Sequence, residues 1–468
     1  MFRRFWFFIY VKVKMTVQQG GLMKKYVMKA LKLLPVFSAA LLCAVPAFAS
    51  EGGKYASAAG IDTLWVLIAA FLVFIMQAGF GMLEAGLIRT KNVCNVLMNN
   101  FLDFCMASMG FFMFGYAIMF GTGNGFMGHS GWFLLNATHE GHLPLEATWL
   151  FHAVFCGAAA TIVAGGIAER MKFKAYLIYS FLISAAVYPV VGHWVWGGGW
   201  LSELGFGDFA GSAVVHAVGG TAALIGTVCL GPRIGKYNKD GSANAIEGHS
   251  MALASLGALI LWFAWFGFNP GSTLAVGDGS LMAKVAVNTN LAAVSGALVA
   301  MFFAWKKCGN PDLTMTMNGA LAGLVAITAP CAFVLPFEAI IIGAVAGILV
   351  VAGTLFLDKV RIDDPVGAVP VHMMNGIWGT VAVGLFGHKA LGLARDGLFH
   401  GGGFAQVGVQ FLGVLAVVGF VGVSMMVVFK TIDAIFGLRV SREEELKGLD
   451  ISEHEMEAYA DFQIFTNK

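Results

Sequence analysis

About eleven apolar runs, each near the length of one bilayer crossing, follow one another from Leu64 to Phe429. A hydrocarbon core of roughly 30 Å needs about 20 helical residues, and within it each backbone N–H and C=O must be paired inside the protein. The runs fall at about 64–83, 102–120, 149–167, 175–195, 210–230, 251–269, 285–305, 320–335, 339–356, 372–386 and 406–429. This order predicts an all-α polytopic membrane protein with eleven transmembrane helices. Composition agrees, because 58% of the 468 residues are apolar and only 12% are Asp, Glu, Lys or Arg. That is about half the charged fraction of a soluble domain, too little to cover a water-facing surface. Sixty-one Gly and forty Phe suit close helix approach with bulky filling between helices. The formal charge of +2 lacks the basic footprint of a nucleic-acid binder. Seven scattered Cys form neither a disulfide framework nor a zinc motif.

The N-terminus reads as a processed leader. From Met23 the chain runs MKKYVMKALKLLPVFSAALLCAVPAFAS, a basic start, an apolar stretch and then Ala47-Phe48-Ala49 as a small-x-small cleavage site. Pro35 and Pro46 bracket a run too short to span. Cleavage after Ala49 is expected, with Met23 the better initiator. The domains are then a leader at 1–49, a membrane domain at 50–430 and a charged tail at 431–468. A cleaved signal starts the mature chain outside, and loop charge supports that. Alternate loops hold Arg89, Lys91, Arg170, Lys172, Lys174, Arg233, Lys236, Lys239, Lys306, Lys307, Lys359 and Arg361, whereas the others hold only Lys54, Lys284, Lys389 and Arg395. The positive-inside rule puts the tail in the cytoplasm, beneath a bacterial inner membrane.

Two segments echo each other. Asp208-Phe-Ala-Gly-Ser-Ala-Val-Val-His216 leads to Gly220, and Asp364-Pro-Val-Gly-Ala-Val-Pro-Val-His372 leads to Gly376. One opens the fifth run and the other the tenth, and the charge reading sends those runs in opposite directions. The pattern predicts a 5+5 inverted repeat plus a final helix, with the site near the midplane on the pseudo-two-fold axis. Eight helical residues past each Asp would carry His216 and His372 roughly 12 Å deep, at 1.5 Å per residue. A low dielectric disfavours imidazolium, so both rings are expected neutral. A facing neutral pair shares one proton and still offers a donor or an acceptor to a small neutral guest.

At these residues the sequence resembles the ammonium transporter family (Amt/Mep/Rh). The resemblance runs from about Asp62 into the tail, through MQAGFGMLEAGLIRTKNV (76–93), AERMKF (168–173), HWVWGGGW (193–200), DFAGSAVVH (208–216), WFGFNPGS (265–272), the segment ending at His372, and GLDISEHEMEAY (448–459). It implies an eleven-helix homotrimer with one narrow hydrophobic pore per subunit. It also implies that Trp196 and Ser272 hold ammonium at an outer vestibule, through an aromatic face and a hydroxyl acceptor. Phe155 and Phe268 would be the stacked gate, His216 and His372 the pore pair, and Asp208 the organiser of the vestibule. Taken alone, Trp196 would be an interfacial anchor and the two Phe ordinary packing. Three departures stand out: Ser212-Ala213 before VVH, His152 where Gln is expected, and Pro270 within FNPGS.

Selection follows from charge. A monovalent cation faces several kcal/mol of penalty in an apolar constriction. Ammonium can leave a proton behind and potassium has none to leave, and the carbonyl-filter sequence TVGYG does not occur. The expectation is a transporter, not an enzyme, that passes ammonia, or ammonia and a proton by separate routes, with no cofactor and no metal. The resemblance adds a nitrogen-regulatory PII protein on the cytoplasmic face as a partner. An ammonium sensor acting through a cytoplasmic partner is the second reading, and the short tail carries no appended kinase or cyclase module. A third is an intramembrane metal hydrolase using His216, His372 and Asp208. Gly123-Asn-Gly-Phe-Met-Gly128 follows a membrane helix rather than a strand and is not taken as a nucleotide site. His139-Glu-Gly-His142 is read as a solvated loop, and Asn136-Ala-Thr138 as a silent glycosylation acceptor. Glu84, Asp103 and Glu169 are expected to pair with loop Arg and Lys.

Overall fold

A computed structural model describes residues 57–137 and 141–460. The chain divides into a unit Met1–Gly60, of which only 57–60 are described, and a unit Ile61–Lys468. The leader and its cleavage site lie outside the described residues, as do Thr138, His139 and Glu140 of the two loop motifs. Among the described residues the regular structure is helical, apart from three isolated bridges. Ten helices of the described residues have the length and apolarity to cross a membrane: α1 Ala58–Leu87, α2 Thr90–Phe120, α3 Leu145–Ile167, α4 Phe173–Glu203, α5 Ser212–Leu230, α6 Met251–Thr273, α7 Ser280–Cys308, α9 Pro336–Lys359, α10 Val369–Phe386 and α11 Ala405–Phe436. A shorter apolar helix, α8 Leu313–Thr328, lies between α7 and α9. The protein is therefore a multi-pass membrane protein.

The α8 region differs from the run at about 320–335. Asp312 caps α8 early by accepting the Met315 N–H at 2.7 Å. Pro330 has no N–H with which to extend the helix, and the chain turns at 329–335 until Pro336 opens α9.

The two echoing segments fold alike. Asp208 precedes α5 in irregular backbone and accepts four N–H groups: Gly211 and Ser212 on one oxygen, Ala213 and Val214 on the other, at 2.8–3.0 Å. Asp364 accepts from Gly367, Ala368 and Val369 at 3.2, 3.1 and 2.7 Å. Each carboxylate satisfies donors that a helix start leaves unpaired. Both helices then open with a π-helical turn, Ser212–Ala217 and Val369–Met374. The sequence expectation of eight helical residues before His216 is thus corrected: the helix starts only at Ser212, so His216 sits on its opening turn.

The motif glycines hold these turns together reciprocally. A Cβ on Gly220 would stand 2.2 Å from the Met373 backbone nitrogen, and one on Gly376 would stand 2.5 Å from the Ser212 carbonyl. Each glycine therefore lets its helix rest directly on the other's π turn.

The acidic expectations hold for Glu169 alone. It pairs with Arg89 and with Arg233, the latter at 3.1 Å, and Arg233 grips Asp363 through two bonds of 2.9 Å. Burial would raise the Asp363 carboxyl, but the hydrogen bonds and charge of Arg233 outweigh it and hold it at about 2. Glu84 instead accepts from Asn100 at 2.8 Å, and Asp103 accepts from Tyr176 and Ser180. Those two carboxylates lie inside helix packing, beyond the reach of loop cations. The tail forms α12 Arg442–Lys447 and α13 Leu449–His454 against these same loops. Glu445 accepts from the Ile234 N–H and from Arg439, Leu449 donates to Asn92, and Asn95 donates to Asp450. A merely solubilising end would not make these contacts.

Candidate functional site

A vestibule of about 990 Å³ opens at one end of the helices, and Trp196, Ser272, Phe155 and His152 line it together. Trp196 lies at the non-helical break 196–199 within α4, and its indole N–H donates to the Asp208 carbonyl at 2.8 Å. This bond fixes the ring plane and leaves its π face to the cavity. Ser272 lies on the short turn Pro270–Thr273 at the end of α6, and its hydroxyl donates to the Phe268 carbonyl at 2.8 Å. The proton is committed there, so lone pairs remain for a guest's N–H. Pro270 starts that turn with its fixed φ. His152 adds a ring 4.5 Å from Phe120 and 6.1 Å from Trp196, giving the vestibule wall a titratable group.

Below the vestibule the passage is closed by Phe155 and Phe268. Their rings stack with centroids 4.0 Å apart at 27°, and both are buried. The stack continues downward. His216 lies 5.4 Å from Phe268 at 27° and 5.1 Å from Trp265 at 23°, while His372 lies 5.3 Å from His216 at 25°. The two histidines meet through their Nδ1 atoms at 3.2 Å. Below them a constriction of about 10 Å³ is lined by His372, Phe80, Glu84 and Asn318. One column of near-parallel rings thus joins the open vestibule to a narrow space on the far side.

Geometry restricts the proton arrangement. With both rings neutral, one Nδ1 donates to the other, so one Nε2 carries a hydrogen and the other is a bare acceptor. Nε2 of His216 is buried and has no hydrogen-bond partner. Such an atom costs free energy unless a guest satisfies it.

The Ammonium Transporter Family description matches residues 64–459. The chain belongs to the ammonium transporter family. It is 48% identical over 420 residues to "Ammonium transporter Amt2" of Archaeoglobus fulgidus, covering 86% of this chain and 89% of that one. It is 37% identical to "Ammonium transporter 1 member 3" of Solanum lycopersicum, covering 85% and 93%. Among solved structures, "Sensor Amt Protein" superposes with a TM-score of 0.81 at 40% identity, covering 85% of this chain and 99% of that one. Candida albicans Mep2 superposes with a TM-score of 0.76 at 29% identity, covering 82% and 87%.

Of the seven residues singled out for this ammonium-transporter-family chain, Trp196, Ser272 and Phe155 line the vestibule, Phe155, Phe268, His216 and His372 form the column, and Asp208 caps the start of α5. Asp208 does not face the histidines, because both its oxygens are taken by backbone N–H groups. Sequence reasoning missed Trp265, whose N–H donates to Thr328 and whose face backs His216. The signal was present: Trp265, Phe268 and Ser272 lie at i, i+3 and i+7, one face of a helix.

Proposed function

We propose that this chain is an ammonium transporter that binds the cation at the vestibule, strips its proton and passes ammonia along the two imidazoles, while the released proton crosses by a separate route and carries the charge. One observation carries this reading: the His216–His372 pair stands in an apolar ring column between an open vestibule and a narrow inner space. Trp196 attracts the cation with its π face while Ser272 accepts an N–H. The Phe155–Phe268 stack then excludes water and any ion that keeps its charge. Beyond it, the His216 Nε2 and its partner ring offer the donor and acceptor that ammonia needs. Potassium finds no comparable exit from its charge and is rejected by desolvation.

In this reading α8 also crosses, giving eleven transmembrane helices as a 5+5 inverted repeat plus α11. The matched Asp, π turn, His and Gly of α5 and α10 support it. Residues 50–430 form the membrane domain, with the vestibule outside and the tail 431–468 in the cytoplasm, in the cell membrane. Exposed apolar side chains such as Phe263, Phe302 and Phe411 suit lipid and the faces of a homotrimer. The tail, set against the inner loops, offers a surface for a PII-type regulator. A sensing role acting through such a partner is the second reading; one solved neighbour is the "Sensor Amt Protein", but the curated relatives are named ammonium transporters, so conduction is the reading preferred. The metal hydrolase loses its third ligand, since Asp208 is fully engaged by backbone. Growth on limiting ammonium of a bacterium lacking its own transporters separates these readings. Restored growth by the parent and none by His216→Ala supports conduction, and no restoration by an expressed, membrane-inserted parent contradicts it.

A further inference from the structure

A second cluster of ligating side chains stands beside the vestibule, outside the pore. Phe209 lines the vestibule and its ring meets Phe333 at 6.0 Å. The Phe333 carbonyl in turn accepts the His388 N–H at 2.9 Å. Here Glu338, from the first turn of α9, meets His388 and His400 from the loop between α10 and α11. His388 Nε2 lies 3.1 Å from both carboxylate oxygens, and His400 Nε2 lies 2.7 Å from one of them. The two imidazoles are stacked, with centroids 3.7 Å apart at 30°. One ligating atom from each residue falls within 4.8 Å of the other two.

We propose that Glu338, His388 and His400 bind a divalent transition-metal ion of the zinc type. Two imidazole nitrogens and a carboxylate suit zinc, copper or nickel, and leave a fourth position for water. Bonds of about 2.0–2.1 Å in a tetrahedron separate ligand atoms by roughly 3.3 Å, so the present spacings need only a slight opening. The site is built on held parts: a second bond fixes the carboxylate, and backbone staples hold the histidine loop. The Glu338 carboxylate also accepts the Leu335 N–H at 2.7 Å. The loop bearing the histidines is stapled by Gly397 donating to the Gly387 carbonyl at 2.7 Å and by Lys389 donating to Asp396 at 2.8 Å. An ion has a way in, since the His388 and His400 side chains are 19% and 27% exposed. The metal would clasp the outer loop to the start of α9, one ring contact from the vestibule wall.

The test is zinc binding by the full chain, purified in detergent on a tag without histidine, stripped with EDTA and re-equilibrated with Zn²⁺ before desalting. About one zinc per chain and a raised melting temperature are expected, as for a three-ligand site. The double variant His388→Gln/His400→Gln keeps amide donors toward Glu338 but loses both nitrogen ligands. It should lose the zinc and the thermal shift while eluting and conducting ammonium like the parent. His400→Gln alone should weaken binding by more than the roughly 10–100-fold cost of removing an outer hydrogen-bond partner of a ligand. His139→Ala/His142→Ala should keep the zinc. A parent that retains none, or a double variant that retains as much as the parent, overturns the proposal. The cluster would then be two imidazoles hydrogen-bonded to a carboxylate.

Discussion

Asp208 orders its surroundings through position alone. Its two oxygens accept four backbone N–H groups, and the Trp196 indole hangs from its carbonyl, so one residue sets both the start of α5 and the plane of the vestibule ring. Asp208→Asn replaces one acceptor with a donor that faces two N–H groups. Each buried donor left unpaired costs about 1–3 kcal/mol, so a lower melting temperature in detergent is expected together with weaker ammonium binding. The seven candidate residues could be named from sequence because all but Phe155 sit in short ordered motifs whose chemistry is unusual inside a membrane. Trp265 was not singled out, since a Trp in an apolar run differs from packing only once its stacking partner is known. Glu338, His388 and His400 could not be read at all: they are brought together by a helix start and a loop far apart in the chain.

At the scale of elements, the crossing of α5 and α10 decides whether the two histidines meet. Gly220→Ala would place a methyl 2.2 Å from the Met373 nitrogen, where backbone cannot yield. Overpacking of this kind costs typically about 1–3 kcal/mol, so the variant should assemble, melt lower and show strongly reduced ammonium current. Loss of current without loss of protein would mark the crossing rather than the fold as the sensitive feature. The loop cluster is a second joint. Arg233→Met leaves Glu169 and Asp363 buried with fewer partners, a change worth about 3–5 kcal/mol, read as a fall in melting temperature. The same cluster sets a pH dependence. Asp363 titrates near 2 in the folded chain against 3.8 ordinarily, so its contribution is complete above about 4 and is lost as pH falls from there towards 2. Melting temperature followed across that interval should fall less steeply in Asp363→Asn than in the parent. Most helices were legible to within a few residues from apolar length alone. The π turns of α5 and α10 and the early end of α8 were not. An all-apolar run carries no periodicity to mark its start, and what positions these ends is a buried carboxylate in one case and Pro330 in the other. Glu84 and Asp103 were assigned to loop cations because sequence gives depth poorly; helix packing places Asn100, Tyr176 and Ser180 beside them instead.

For the whole molecule, vestibule, ring column and tail lie in series along one chain. The tail reaches the loops that end the pore helices, where Glu445 accepts from the Ile234 N–H and Lys91 donates to the Glu445 and Leu446 carbonyls. Truncation before Ser441 should therefore lower the melting temperature by a few degrees and reduce transport, with membrane insertion unchanged. The central claim is that charge is removed from the substrate before it enters the column. It is tested by recording currents from the purified protein in liposomes on a solid-supported membrane, with an ammonium jump and then a potassium jump of equal size. A current with ammonium and none with potassium, both absent in protein-free liposomes, is the predicted result; potassium passing as readily as ammonium would contradict the account.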